Sequence, residues 1–304
     1  MTDTIDTPAT PDVPEDGAEP IIGTETQRSR WSIDIPGVRQ ADLRAVKWQL
    51  YLSLVGLFLG LSMGLLQASD RGDFVLEDVF NRSINLYDAV GLQSYYQGLT
   101  IHGVTLALVF TFTFSNAFMS LTTMKSLKRP LASAVLRDAS LYLAWTGVAL
   151  AAWSMLANKA TVLFTFYPPL QATPAFYIGA VFLVVSTWCT LANQLLTLRQ
   201  WRRDGHEGER IPLLAFVSII TEIMWFLASI GIAIEVLVFV LPWSLGLTDS
   251  IDPQFTRILF WFTGHPIVYF WLLPVYVSWY LFLPEQAGKA RVASDGLVRV
   301  VFLA

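Results

Sequence analysis

The sequence has 304 residues, 54% hydrophobic and only 14% charged, with a formal net charge of −4 and a mean hydropathy of +0.51. Soluble domains carry about 25% charged residues, so this composition excludes an ordinary soluble globular protein. Nothing in the charge pattern points to nucleic acid, and the single cysteine, Cys189, excludes an internal disulfide or a cysteine metal cluster.

Residues 1–35 are rich in Thr, Pro, Asp and Glu and nearly devoid of bulky apolar side chains. Such a segment cannot bury a core, so it is predicted to be a disordered acidic tail. It lacks the basic start and apolar stretch of a signal peptide. Residues 36–304 predict an all-α membrane domain. Six apolar segments follow in order: Trp48 to Ala68, Tyr95 to Met124, Ala139 to Ala157, Ala175 to Leu198, Pro212 to Leu241 and Phe255 to Leu283. Each is long enough for the roughly 20 residues that a bilayer-crossing helix needs. Backbone polar groups cannot stay unpaired in lipid, which makes these segments helices. A seventh begins near Leu297 and stops at Ala304 within VRVVFLA. The expectation is therefore six transmembrane helices plus a truncated seventh, the N-terminal half of a longer protein.

The loops alternate in charge. Arg39, Arg44 and Lys47 precede the first segment; Lys125, Lys128, Arg129 and Arg137 lie between the second and third. Arg199, Arg202, Arg203 and Arg210 lie between the fourth and fifth, and Lys289, Arg291 and Arg299 follow the sixth. The opposite loops hold only Arg71 and Arg82, then Lys159, then no Lys or Arg between Leu245 and Pro253. Basic residues stay on the cytoplasmic side, which predicts a cytoplasmic N-terminus. The chain shows no inverted repeat of the kind many transporters carry.

Of the three histidines, His206 sits among exposed charges in RRDGHEGER and reads as a solvated loop residue. The other two fall inside apolar segments, where an ionisable side chain is costly and marks a functional candidate. His102 lies in YYQGLTIHGVTLALVF, flanked by Gly98 and Gly103, which leave room for a large flat group against the backbone. An imidazole there suits axial ligation of haem iron; a histidine hydrogen-bonded between helices fits the spacing equally well. His265 lies in LFWFTGHPIVYFWLLPVYVSWYLFLP, near mid-membrane. Pro266 removes a backbone donor and loosens the helix beside it. Tyr269 follows at i+4 on the same face, and Tyr276 and Tyr280 continue that stripe. A row of hydroxyls can pass protons to a buried redox site; tyrosines near a helix end also serve as interfacial anchors. Glu222 and Glu235 are two further acids within apolar segments, readable as proton relays or as structural acids.

GHPIVYFWLLP resembles the copper-site helix of haem-copper terminal oxidases, and QGLTIHG resembles the segment with a low-spin haem ligand. ANKATVLFTFYPPL, MWFLASIG and LPWSLGL with the following IDP extend the resemblance, in order, from about Trp48 to the end. These stretches resemble subunit I of the ba3-type (B-type) cytochrome c oxidases. The resemblance implies that His102 is an axial ligand of a low-spin haem b. His265 becomes one of three histidines on the copper ion (CuB) beside a high-spin haem of a3 type. It implies that Tyr269 is covalently joined to that histidine and donates an electron and a proton when the O–O bond breaks. Trp261 packs near the copper site on this view, or else fills core, and Tyr276 and Tyr280 belong to the proton path. The implied reaction is reduction of O2 to water coupled to proton translocation. Electrons arrive from cytochrome c or a small copper protein through a subunit II that carries a copper centre. The setting is the lipid bilayer of the cell membrane.

Ile267 stands where the commoner oxidases have Glu, so the resemblance leaves only a tyrosine-lined path. The family's remaining copper and haem ligands lie downstream of residue 304. A truncated or split subunit, inactive without a complementary C-terminal chain, is therefore the alternative reading. An unrelated transporter has no need for the Gly-His-Pro…Tyr helix.

Overall fold

The structure, a computed structural model, describes residues 35, 37–72, 75–77, 83–289 and 294–303. The expected tail over residues 1–35 thus lies outside the described residues, Ile35 excepted, as do Arg82 and Arg291.

Among the described residues six helices are long and apolar enough to cross a membrane: α1 Gln40–Arg71, α2 Tyr95–Leu127, α3 Ala134–Leu156, α4 Pro174–Arg203, α5 Leu213–Ser244 and α6 Pro253–Gln286. They are followed by α7, Asp295–Leu303. Each of the six contains its expected apolar segment, or all but a terminal residue of it, and extends beyond it by up to about two turns. Hydropathy marks the lipid-immersed stretch, whereas backbone hydrogen bonding continues through the polar ends. Between α1 and α2 a short antiparallel pair, β1 Val75–Glu77 and β2 Ser83–Asn85, leads into the helical turn Leu86–Ala89.

The helices are inverted relative to a soluble protein. Phe58, Leu65 and Tyr142 are among the many large side chains left on the surface, where lipid is their solvent. Inside, small and hydroxylated residues let backbones approach. On α3 and α4, a Cβ added at Gly147 or Gly179 would meet the other glycine's carbonyl oxygen at 2.6 Å, so only glycine fits this crossing. Polar side chains link neighbours: Asn116 Nδ2 to Ser186 Oγ at 3.1 Å, Thr122 Oγ1 with Ser218 Oγ at 2.7 Å and Trp225 Nε1 to Thr187 Oγ1 at 2.8 Å. At the start of α1, the buried Asp42 carboxylate accepts from Arg39 and from Arg137 at the start of α3, at 3.0 and 2.9 Å. A buried acid held between two guanidinium groups pins these two helix ends together.

Two spans change their winding. α2 passes through a π-helical turn at Thr105–Phe110, and α5 through another at Glu235–Val240. α6 is interrupted between Gly264 and Pro266, and His265 itself sits at the break. α2 is the innermost helix, with 67% of its most apolar stretch buried, against 22% for α6. The face of α6 is accordingly the most open part of the described bundle.

Candidate functional site

His265 owes its position to its neighbours in sequence. Proline at 266 has no N–H to return to the preceding turn. The backbone of His265 is still helical, φ −80 and ψ −49, yet its N–H reaches the Trp261 carbonyl only at 3.4 Å. The loosened turn delivers the imidazole to the open face of α6, where its Nε2 lies 3.0 Å from the Tyr269 hydroxyl. The two rings stand at 68° with centroids 5.2 Å apart. With Nε2 turned toward the phenol, Nδ1 remains available to a metal ion and has no protein partner among the described residues. Tyr269 is half-exposed and Tyr276 more than one-third exposed on the same side. Tyr280 is partly buried against Phe302 of α7. The stripe therefore exists as a face, but among the described residues no hydrogen bond joins the hydroxyls of Tyr269, Tyr276 and Tyr280.

Trp261 lies one turn before His265. Its indole N–H donates to the Tyr167 hydroxyl, and its ring meets Phe260 edge-on. It remains 47% exposed among the described residues.

His102 is built from α1. Its Nδ1 lies 2.7 Å from the Gly60 carbonyl oxygen, and a Cβ at Gly64 would meet the ring carbon Cε1 at 2.9 Å. Only glycine at position 64 lets the imidazole lie against the α1 backbone. A carbonyl can only accept, so Nδ1 carries the proton and Nε2 keeps its lone pair. This is the tautomer a metal-binding histidine needs. The space expected beside Gly98 and Gly103 is taken differently. The Tyr87 hydroxyl fills the place of a Cβ at Gly98 and the Phe164 ring borders Gly103. The glycine that makes room for the imidazole itself is Gly64; at Gly60 a Cβ would meet Leu106 and the Thr105 hydroxyl instead.

The loop 157–173, which joins α3 to α4, packs against both histidine helices. Its residues Asn158, Leu163 and Phe166 have φ of 53, 62 and 56 degrees, strained values for non-glycine residues. The loop sets Phe164 against Gly103 and Phe260, and Tyr167 against Trp261. This segment, ANKATVLFTFYPPL, carried part of the sequence resemblance, but its role as a bridge was not legible there.

His206 stacks on Trp201 at 4.4 Å, with its Nδ1 3.0 Å from that residue's carbonyl oxygen, which takes it out of the site. Glu222 and Glu235 are completely buried, and the carboxylate oxygens of both lack protein partners. Among the described residues no three metal-binding side chains come together. His102 and His265 are each fit to supply one ligand from this chain. The first is an oriented imidazole with a free Nε2; the second is an open Nδ1 beside a phenol.

The fold and site define a polytopic helical membrane protein that presents two oriented imidazoles from separate helices, one of them paired with a phenol. The chain belongs to the cytochrome c and quinol oxidase polypeptide I family, whose pattern matches residues 44–304. It is 42% identical over 263 residues to cytochrome c oxidase subunit 1 of Thermus thermophilus, covering 86% of this chain and 45% of that protein. It is 28% identical over 226 residues to a heme-copper oxidase subunit I+III of Aeropyrum pernix, covering 69% of this chain and 28% of that protein. Among solved structures, a heme-copper terminal oxidase dimer determined by cryo-electron microscopy matches with a TM-score of 0.76 and 35% identity. That match covers 87% of this chain and 44% of the other. The chain thus spans less than half the length of these relatives.

Proposed function

We propose that this chain forms part of the catalytic subunit of a terminal respiratory oxidase of the cell membrane. The whole protein reduces O2 to water, coupled to proton translocation. The portion in hand acts with the remaining length its relatives possess, on one polypeptide or on a complementary chain. Cytochrome c or a small copper protein is the electron source, through a subunit II with its own copper centre. The N-terminus faces the cytoplasm, as the excess of Lys and Arg in alternate loops argues.

The observation that carries this reading is the 3.0 Å contact between His265 Nε2 and the Tyr269 hydroxyl on the open face of α6. His265 offers Nδ1 to copper, and His102 offers Nε2 to the iron of a low-spin haem b. Haem and copper, when bound, would supply the place where O2 binds and would relay to it the electrons that the donor provides. The protein's own residues orient and protonate. The Gly60 carbonyl fixes the His102 tautomer, and Tyr269 holds a proton at its hydroxyl next to the copper imidazole. Trp261, held by Tyr167, walls the site one turn away. Tyr276 and Tyr280 mark the route by which protons reach Tyr269 from the cytoplasmic end. A bilayer-facing apolar exterior around this polar face keeps bulk water from the reaction.

The test is O2 uptake by the assembled complex with Tyr269→Phe. That variant keeps the ring and loses the transferable proton, so turnover should fall at least about a hundredfold, the scale of a lost general acid, with haem content unchanged. Full turnover would remove Tyr269 from the reaction.

A further inference from the structure

Away from the histidines, α2, α4 and α5 share a polar interior of their own. Leu127, Trp201 and Ala215 pack as one apolar cluster that joins these helices near one end of the bundle. Seven residues along α4 from Trp201 is Gln194, and seven along α5 from Ala215 is Glu222. Two helical turns of roughly 10 Å bring each side chain back to the same face. Thr123 lies one turn from Leu127 on α2. All three are fully buried at 0% exposure. None of their five side-chain polar atoms has a protein partner: both oxygens of Glu222, the amide oxygen and nitrogen of Gln194, and the hydroxyl of Thr123. Beside them the Thr122–Ser218 hydrogen bond at 2.7 Å adds a satisfied polar pair from α2 and α5.

Five unpartnered polar atoms on the buried faces of three packed helices call for partners, because leaving each without a hydrogen bond costs the full desolvation of that group. No Lys, Arg or His side chain among the described residues pairs with Glu222. A charged carboxylate here has no counter-ion, whereas a neutral carboxyl donates one hydrogen bond and accepts others. A buried water typically makes about three hydrogen bonds, so two waters are enough to engage all five atoms.

We propose that α2, α4 and α5 enclose an internal water site bounded by Glu222, Gln194 and Thr123, with Glu222 as a neutral, proton-exchanging carboxyl. Its ligand class is water and the proton that water carries. Toward α6, the fully buried Met119, Val217 and Val277 form an apolar cluster against which Tyr280 also packs.

The test uses the assembled complex. A map that resolves interior waters should show two ordered molecules within hydrogen-bond distance of the Glu222 carboxyl and the Gln194 amide. The infrared difference between H2O and D2O should contain a carboxyl stretching band that is absent from the Glu222→Gln variant. In Gln194→Leu, which leaves the acid in place but removes its amide neighbour, that band should move to higher frequency. The proposal is overturned if the map resolves other interior waters and none here, with Glu222 bonded directly to Gln194. It is equally overturned if Glu222→Gln leaves every carboxyl band in place.

Discussion

The Trp271 indole donates to the Ala107 carbonyl at 3.2 Å and so ties the His265 helix to the His102 helix. Ala107 lies within the π-helical turn of α2, where wider winding turns carbonyls away from their usual partners. The same carbonyl accepts the Thr111 hydroxyl at 2.6 Å. Ala107 is five residues past His102 and Trp271 six past His265, so this indole, with the Phe112–Phe270 ring contact at 5.9 Å, helps set the relation between the two ligand-bearing turns.

Trp271→Phe keeps the aromatic bulk and removes this bond. The loss should cost about 0.5–1.5 kcal/mol. It is expected as a lowered thermal midpoint of the assembled complex, followed by haem absorbance, with haem stoichiometry retained.

Gly64→Ala should be far more damaging to the low-spin haem. A Cβ at this position would stand 2.9 Å from the His102 ring, and the α1 backbone behind it cannot yield. The imidazole must turn, breaking its bond to the Gly60 carbonyl. Reduced-minus-oxidised spectra should show loss or displacement of the low-spin haem band. Gly296→Ala, where a Cβ meets nothing within 4 Å, should leave the spectrum as it was.

Much of this was legible in the sequence, for identifiable reasons. Long apolar runs broken by charge marked all six spans, because burial in lipid leaves a composition signal along the whole segment. The His265–Tyr269 pair followed from helical periodicity, and the break at Pro266 from the missing N–H. The His102 cradle was missed, although its signal was present: Gly56, Gly60 and Gly64 recur every four residues in GLFLGLSMG and form a smooth ridge on α1. Gly98 and Gly103 flank His102 in sequence, whereas the ring packs across helices against Gly64. The π-helical turns and the bridge from Tyr167 to Trp261 had no local signature, since they arise from tertiary packing and a strained loop.

Tyr280→Phe should slow turnover without changing haem content, since it removes a hydroxyl from the proposed proton route and keeps the ring against Phe302. Steady-state O2 consumption at fixed donor concentration measures this. An unchanged rate would return Tyr280 to a role in anchoring the helix end.

Tyr87, in the turn between α1 and α2, gives an alkaline limit to stability. Its hydroxyl donates to the carbonyls of Ser94 and Tyr95 at 2.9 and 3.1 Å. Burial pushes the phenol above its ordinary value of 10.0. Its contribution is therefore fully present below pH about 10, where the unfolded phenol titrates, and is lost as pH rises through the higher folded value. Tyr87→Phe should lower stability at neutral pH and flatten its decline above pH about 10. Thermal melts across that range measure both effects.

Copper and haem quantified together in the purified, assembled complex of His265→Ala test the central claim most directly. Loss of the copper with the low-spin haem spectrum intact is the predicted result, because His102 is held by α1 and owes nothing to His265. Full copper retention with normal turnover would contradict the account.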